Sequence, residues 1–191
     1  MFISLQASVI LSLLLSGCLV SRTPLITAGN SDRPFPAHSI LTFDDKPEKA
    51  SLDLGDDNSY IISALSTGDN KDIFEDKMYF KKISDDTFAY SRREIDKETG
   101  KINHYAYGYM RLIDSNRITT HEPDCTDFDP AELQKLGVEI IKPKADDFAP
   151  AYCVIPSVEA LEALLRSFLN DPKNAEKIKP SDDSIMRITP K

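Results

Sequence analysis

His121, Glu122, Asp124 and Cys125 bring four metal-ligating side-chain types together within one short stretch, and zinc is the metal such a set would suit. Their spacing argues against it. It matches neither C-x2-C nor H-E-x-x-H, and Pro123 blocks the regular helix that would align the ligands. Asp53, Asp56, Asp57 and Asn58 carry part of a calcium-loop pattern, but the D-x-[DN]-x-[DN]-G order with a distal Glu is not met. A turn before a strand accounts for them better. The three histidines, His38, His104 and His121, have no Ser or Cys placed to make a nucleophilic pair. With 31 Asp and Glu residues, some pair will always resemble a glycosidase dyad, so carboxylate pairs carry no information.

No P-loop, G-x-G-x-x-G or G-x-S-x-G occurs, and seven glycines leave little material for loops that cradle phosphates. Acids outnumber bases 31 to 23, for a net charge of -8, so nucleic acid is disfavoured as well as nucleotides. The expectation is therefore no catalytic residue, no metal and no cofactor.

One aromatic feature offers a binding reading. Tyr105, Tyr107 and Tyr109 share a face of a long strand pattern, with Phe88 and Tyr90 on the strand before it. Together they could form a platform for a small apolar or glycan ligand, since Tyr joins an apolar body to a polar tip. Cross-strand packing is the commoner cause of such rows and is the preferred reading. Burial of the row beneath a helix would remove the platform. Arg92, Arg93 and Arg111 lie among these aromatics, and pairing with surface carboxylates is the default for them.

The start of the chain is of another kind. Met1 to Gly17 contains no charged residue and is rich in Leu, Ile and Val, too short to span a bilayer but suited to an export signal. It ends in Leu15-Ser16-Gly17-Cys18, which resembles the lipobox of bacterial lipoprotein signal peptides, although no Lys or Arg precedes the apolar stretch. The resemblance implies cleavage before Cys18, acylation of that residue, and attachment to a lipid membrane. Leu19 after the cysteine resembles the class sorted to the outer membrane, facing the periplasm. With Cys18 assigned to lipid, Cys125 and Cys153 remain as an even pair in an oxidising compartment, where a disulfide is expected. Such a bridge would stabilise the fold by roughly 3–4 kcal/mol on the chain-entropy model.

These features need a scaffold. Hydrophobic residues make up 41% of the 191 positions and charged residues 28%, enough apolar material for one soluble domain. Residues 1–17 read as the signal, 18–38 as a lipidated N-terminus and flexible tether dotted with Pro24, Pro34 and Pro36, and 39–191 as a single domain. Ser39 to Phe43, Ser59 to Leu65, Met78 to Ile83, Thr87 to Arg93, Ile102 to Ile113 and Arg117 to His121 read as strands joined by short polar turns. Val138 to Ile141 and Tyr152 to Ile155 add two more, and Ile185 to Ile188 a terminal edge strand.

Asp129, Pro130 and Glu132 open a short helix, and Ser157 caps a longer one with an apolar stripe at Val158, Leu161, Leu165 and Phe168. The expected fold is α+β: an antiparallel meander of about five to seven strands, covered by one or two C-terminal helices and stapled by one disulfide. The leading functional expectation is a noncatalytic envelope lipoprotein that contacts other envelope proteins. The aromatic binding module is second, and a metal enzyme or hydrolase at His121 to Cys125 third.

Overall fold

The computed structural model describes residues 19–43, 49–65, 75–96, 99–142, 151–180 and 185–191. The signal segment, Cys18 and most of the bend expected from Lys142 to Pro150 lie outside these residues. The strands are β1 (Leu19–Ser21), β2 (His38–Phe43), β3 (Lys49–Leu54), β4 (Tyr60–Leu65), β5 (Glu75–Lys82) and β6 (Thr87–Ile95). They continue with β7 (Ile102–Leu112), β8 (Arg117–His121), β9 (Glu139–Ile141), β10 (Tyr152–Val154) and β11 (Ile185–Pro190). The helices are α1 (Pro130–Lys135), α2 (Val158–Asn170) and α3 (Ala175–Ile178).

The expected α+β class is overturned: the chain is mainly β, and its meander closes into a barrel. Strands β2 to β8 pair antiparallel in sequence order. β11 then pairs with β8 on one side and β2 on the other, closing an eight-stranded ring. The C-terminal strand expected at an edge is the closing stave, and β3 was not anticipated. The reason is physical. Hairpin signals report neighbours in sequence, whereas the β2–β11 pairing joins segments far apart and leaves no local trace.

An eight-stranded ring is just wide enough for side chains to fill it, and here they do. Phe35, Tyr60 and Phe80 meet edge to face at 5.4–5.6 Å. Leu41, Leu52, Phe88, Met110, Ile118 and Ile188 complete this inner core. Tight turns close one rim, as at Gly55, whose N–H donates to the Ser59 carbonyl at 2.7 Å while Asn58 takes φ 63°.

A second core lies outside the ring. Residues of β6 and β7 whose side chains alternate away from the interior, among them Ala89, Tyr107 and Tyr109, pack under α2 through Leu161, Leu164, Leu165 and Phe168. Ser157 caps α2 by accepting from the Ala160 N–H at 3.2 Å, and Asp171-Pro172 ends it. Each fully buried Leu or Phe on its stripe contributes roughly 1.5–3 kcal/mol. Asp129 caps α1, Pro130 starts it, and Gly137 follows with φ 69°. Cys125 and Cys153 form the expected disulfide, with both residues buried and 5.5 Å between their Cα atoms. It fastens the turn before α1 to β10.

Residues 19–38, expected as a tether, are instead built into the fold. Leu19 and Ile26 are fully buried in the outer core, and Phe35 plugs the ring. A proline-dotted, irregular path can still bury its apolar side chains. β1 pairs antiparallel with the first half of β7 and parallel with β10, and β9 joins beyond. β7 thus serves two partners along one edge: β1 from Tyr105 to Tyr107 and β8 from Tyr109 to Leu112. The change occurs at Gly108, where a Cβ would lie 2.6 Å from the His121 carbonyl oxygen and 2.6 Å from the Tyr90 ring. Only glycine permits that approach.

Candidate functional site

The residues with metal-ligand chemistry face different ways at the end of β8 and in the segment that follows it. His121 ends β8 on the outer face and stacks on Phe168 at 5.6 Å, with Tyr109 at 5.4 Å. Burial holds its imidazole below the ordinary histidine range, and its Nε2 has no hydrogen-bond partner in the structure. Glu122, one residue on, alternates to the inner side, while Cys125 is committed to the disulfide. Among the described residues no three His, Cys, Asp or Glu side chains converge on a metal position. The calcium-like run at Asp53 to Asn58 is a turn. Asp57 accepts from Ser59 Oγ at 2.6 Å, Lys77 Nζ at 2.5 Å and Tyr79 Oη at 2.7 Å, and the Lys77 bond leads in holding its carboxyl far below the usual range.

The aromatic platform does not form. Tyr107 and Tyr109 are covered by the outer core, 0% and 1% exposed, with Tyr109 6.0 Å from Phe168. Phe88 and Tyr90 sit on the opposite face, inside the barrel. Tyr105 packs half-buried against the outer core. The sequence reading grouped two adjacent strands without fixing their relative phase. Their register, Tyr90 opposite Gly108 and Phe88 opposite Met110, puts the two sets of rings back to back.

The most concentrated chemistry is a buried ionic cluster inside the barrel. Arg92 follows Phe88 and Tyr90 at a period of two and so points inward, opposite the small Ala106. It is 4% exposed. Its Nε and Nη2 donate to the Glu122 carboxylate at 3.1 and 3.3 Å, its Nη1 donates to Glu94, and Tyr90 Oη donates to Glu122 at 2.9 Å. Burial opposes the charge on Arg92, but Glu122 and Glu94 outweigh it and hold the guanidinium above its ordinary value. Burial, aided by Glu122, pushes the Tyr90 phenol well above its own. Asp76 is also buried and its carboxyl is raised by desolvation, with Arg93 Nε 3.9 Å away.

This arrangement is closed on itself. Both Glu122 oxygens and the Arg92 nitrogens named above are engaged within the chain, so the cluster locks β6 to the segment after β8. It exposes no activated nucleophile. The sequence reading left Arg92 at the surface; its phase with Phe88 and Tyr90 was the signal that could have placed it inside.

A cleft of about 230 Å³ lies between the β5–β6 turn and the end of α2, lined by Ser84, Asp86, Thr87, Arg111, Arg166 and Asn170 among others. Arg111 Nε donates to Asp86 Oδ2 at 3.1 Å, which takes up much of its charge locally. The volume falls below the roughly 300–1,000 Å³ usual for small-molecule sites. No known protein family matches the chain, and comparisons with curated proteins and with solved structures return no match either.

Proposed function

We propose that this chain is a lipid-anchored protein of the bacterial cell envelope, held through acylated Cys18 at the outer membrane and facing the periplasm. Its role there is noncatalytic, contacting other envelope proteins. The observation that carries this reading is the buried Cys125–Cys153 disulfide in a chain that also bears Leu15-Ser16-Gly17-Cys18. A fully covered disulfide suits an oxidising compartment, and the lipobox-like segment supplies the route to one. Several acyl chains, at about 0.8 kcal/mol per buried CH₂, would make the attachment lasting.

The barrel's own pattern argues for residence beside the membrane rather than within it. Membrane barrels turn apolar residues outward and polar ones inward. Here Leu52, Tyr60 and Phe80 fill the interior, while alternation turns Lys49, Asp53, Lys77 and Lys81 outward.

Intact mass spectrometry of protein from a lipoprotein-processing host tests the proposal, with Cys18→Ala alongside. The expected product begins at Cys18 and carries acyl chains that the variant lacks. An unlipidated product from the unaltered chain would sink the reading.

A further inference from the structure

The cleft beside the end of α2 joins cationic walls to an apolar floor. Two arginines line it from separate elements, Arg111 from β7 and Arg166 from α2. Arg111 is held by a carboxylate that is itself fixed. Ser84 Oγ and Thr87 Oγ1 donate to Asp86 Oδ1, each at 2.9 Å, and Arg111 Nε donates to Asp86 Oδ2 at 3.1 Å. Holding the guanidinium by Nε leaves its two terminal nitrogens, the fork that matches a carboxylate, without a partner among the described residues. Arg166 is freer still: its Nη2 stands 3.6 Å from Glu162, beyond hydrogen-bond distance. Beneath them Ile83 is buried in the outer core, and Leu169 and Ile178 pack against that core half-buried.

The same surroundings limit how much negative charge the cleft will take. Asp86 lines it, Glu162 lies beside Arg166, and Asn170 closes α2 at its carbonyl end, which disfavours an anion. Part of that end is already satisfied, since Asn174 Nδ2 donates to the Phe168 carbonyl and the Asp171 N–H to that of Ser167. One ligand charge can be met by the two guanidinium groups; a second would face Asp86 and Glu162 unopposed. A volume of about 230 Å³ also restricts the ligand to a few carbon atoms. We propose that this cleft binds a small aliphatic monocarboxylate, with its carboxylate on Arg111 and Arg166 and its tail on Leu169 and Ile178. Such binding is independent of the anchor at Cys18 and would give the domain a ligand of its own.

The test uses the full chain with its isoleucine δ1-methyl groups labelled for NMR. Ile83 and Ile178 report from the cleft, while Ile118 and Ile188 report from the barrel interior. Isovalerate is titrated in at constant ionic strength, beside isovaleramide, its neutral counterpart, and inorganic phosphate. Saturable shifts are expected at 83 and 178 with isovalerate, and binding at least about tenfold weaker for the amide and for phosphate.

Arg166→Gln removes one charge from a side chain that is 51% exposed, and is expected to weaken isovalerate at least about tenfold. Unchanged methyl signals at 118 and 188 in the free variant would show that its barrel is intact. Arg111→Lys, which keeps a cation for Asp86 but loses the fork, is expected to weaken isovalerate as well. Absence of a saturable shift at 83 and 178 overturns the proposal, and so does equal binding of the acid and its amide. Equal affinity in Arg166→Gln and the unaltered chain removes the carboxylate from the arginines. Phosphate held as tightly as isovalerate overturns the monocarboxylate.

Discussion

The two cores of this protein are built in opposite ways. The barrel interior is assembled from consecutive hairpins, each strand meeting the next across a short connection, with long-range closure confined to β11. The outer core gathers β1 from the start of the described chain, α2 from near its end, and the exterior faces of β6 and β7 from the middle. Its parts are distant in sequence, so ordering them forfeits more chain entropy, and this is the core that carries the disulfide. The comparison teaches where covalent reinforcement matters: at the layer whose contacts no hairpin supplies.

The cores also differ in how they treat charge. The inner one admits Arg92 with Glu122, while on the outer side His121 stacks on Phe168 and burial lowers its pKa. Replacing Arg92 alone by Leu leaves Glu122 buried without its cation and is expected to destabilise by about 3–5 kcal/mol. The double variant Arg92→Leu with Glu122→Leu should recover much of that loss. Urea unfolding of the three proteins reads the difference, and equal losses in the single and double variants would show that the pair does not act as a unit.

Removing the staple separates the cores more selectively. Cys125→Ala with Cys153→Ala is expected to lower stability by about 2–4 kcal/mol. Hydrogen exchange should quicken at α2 and β10 first, while β3, β4 and β5 keep their protection. Uniform acceleration over the whole chain would mean that the two cores unfold as one.

Smaller still is the α2 cap. Ser157→Ala removes the acceptor for the Ala160 N–H and should lower stability by about 1 kcal/mol. A thermal melt that leaves Tm unchanged would show that packing of the stripe alone sets the start of α2.

The pH response sharpens the contrast further. Burial lowers the His121 pKa in the folded state, so below about 6.5 the unfolded chain binds more protons and stability falls as the pH drops towards the folded value. Above that range His121 contributes no slope. His104, half-buried, shifts in the same direction by desolvation, so the readout is the difference between the native protein and His121→Phe across this window. Identical slopes would remove His121 from the account.

What could be read in the sequence divides along the same line. The turns at Asp53 to Asn58 and Asp114 to Asn116, the capping at Asp129 and Ser157, and the α2 stripe are local signals, and they were legible. The cysteine pairing followed from compartment arithmetic once the lipobox resemblance had claimed Cys18. Illegible were the closure by β11 and the capture of Leu19 by β7 and β10, because each depends on a partner chosen by the finished tertiary structure. The aromatic row failed for a third reason. Alternation within β6 and within β7 was read correctly, but only their register tells that Phe88 and Tyr90 turn inward while Tyr107 and Tyr109 turn outward.

Closure of the ring bears on how many copies can be crowded together without sticking. A strand whose backbone groups are unpaired along one side is a template for another chain, and barrels remove that hazard by having no such side. Among the described strands, only β9 has a neighbouring strand on one side alone, and it is three residues long with the charged, exposed Glu139 at its start. Under the proposed lipid anchoring, copies held on one surface would meet at high local concentration. The closed ring of β2 to β8 and β11 gives such neighbours no terminal strand to extend.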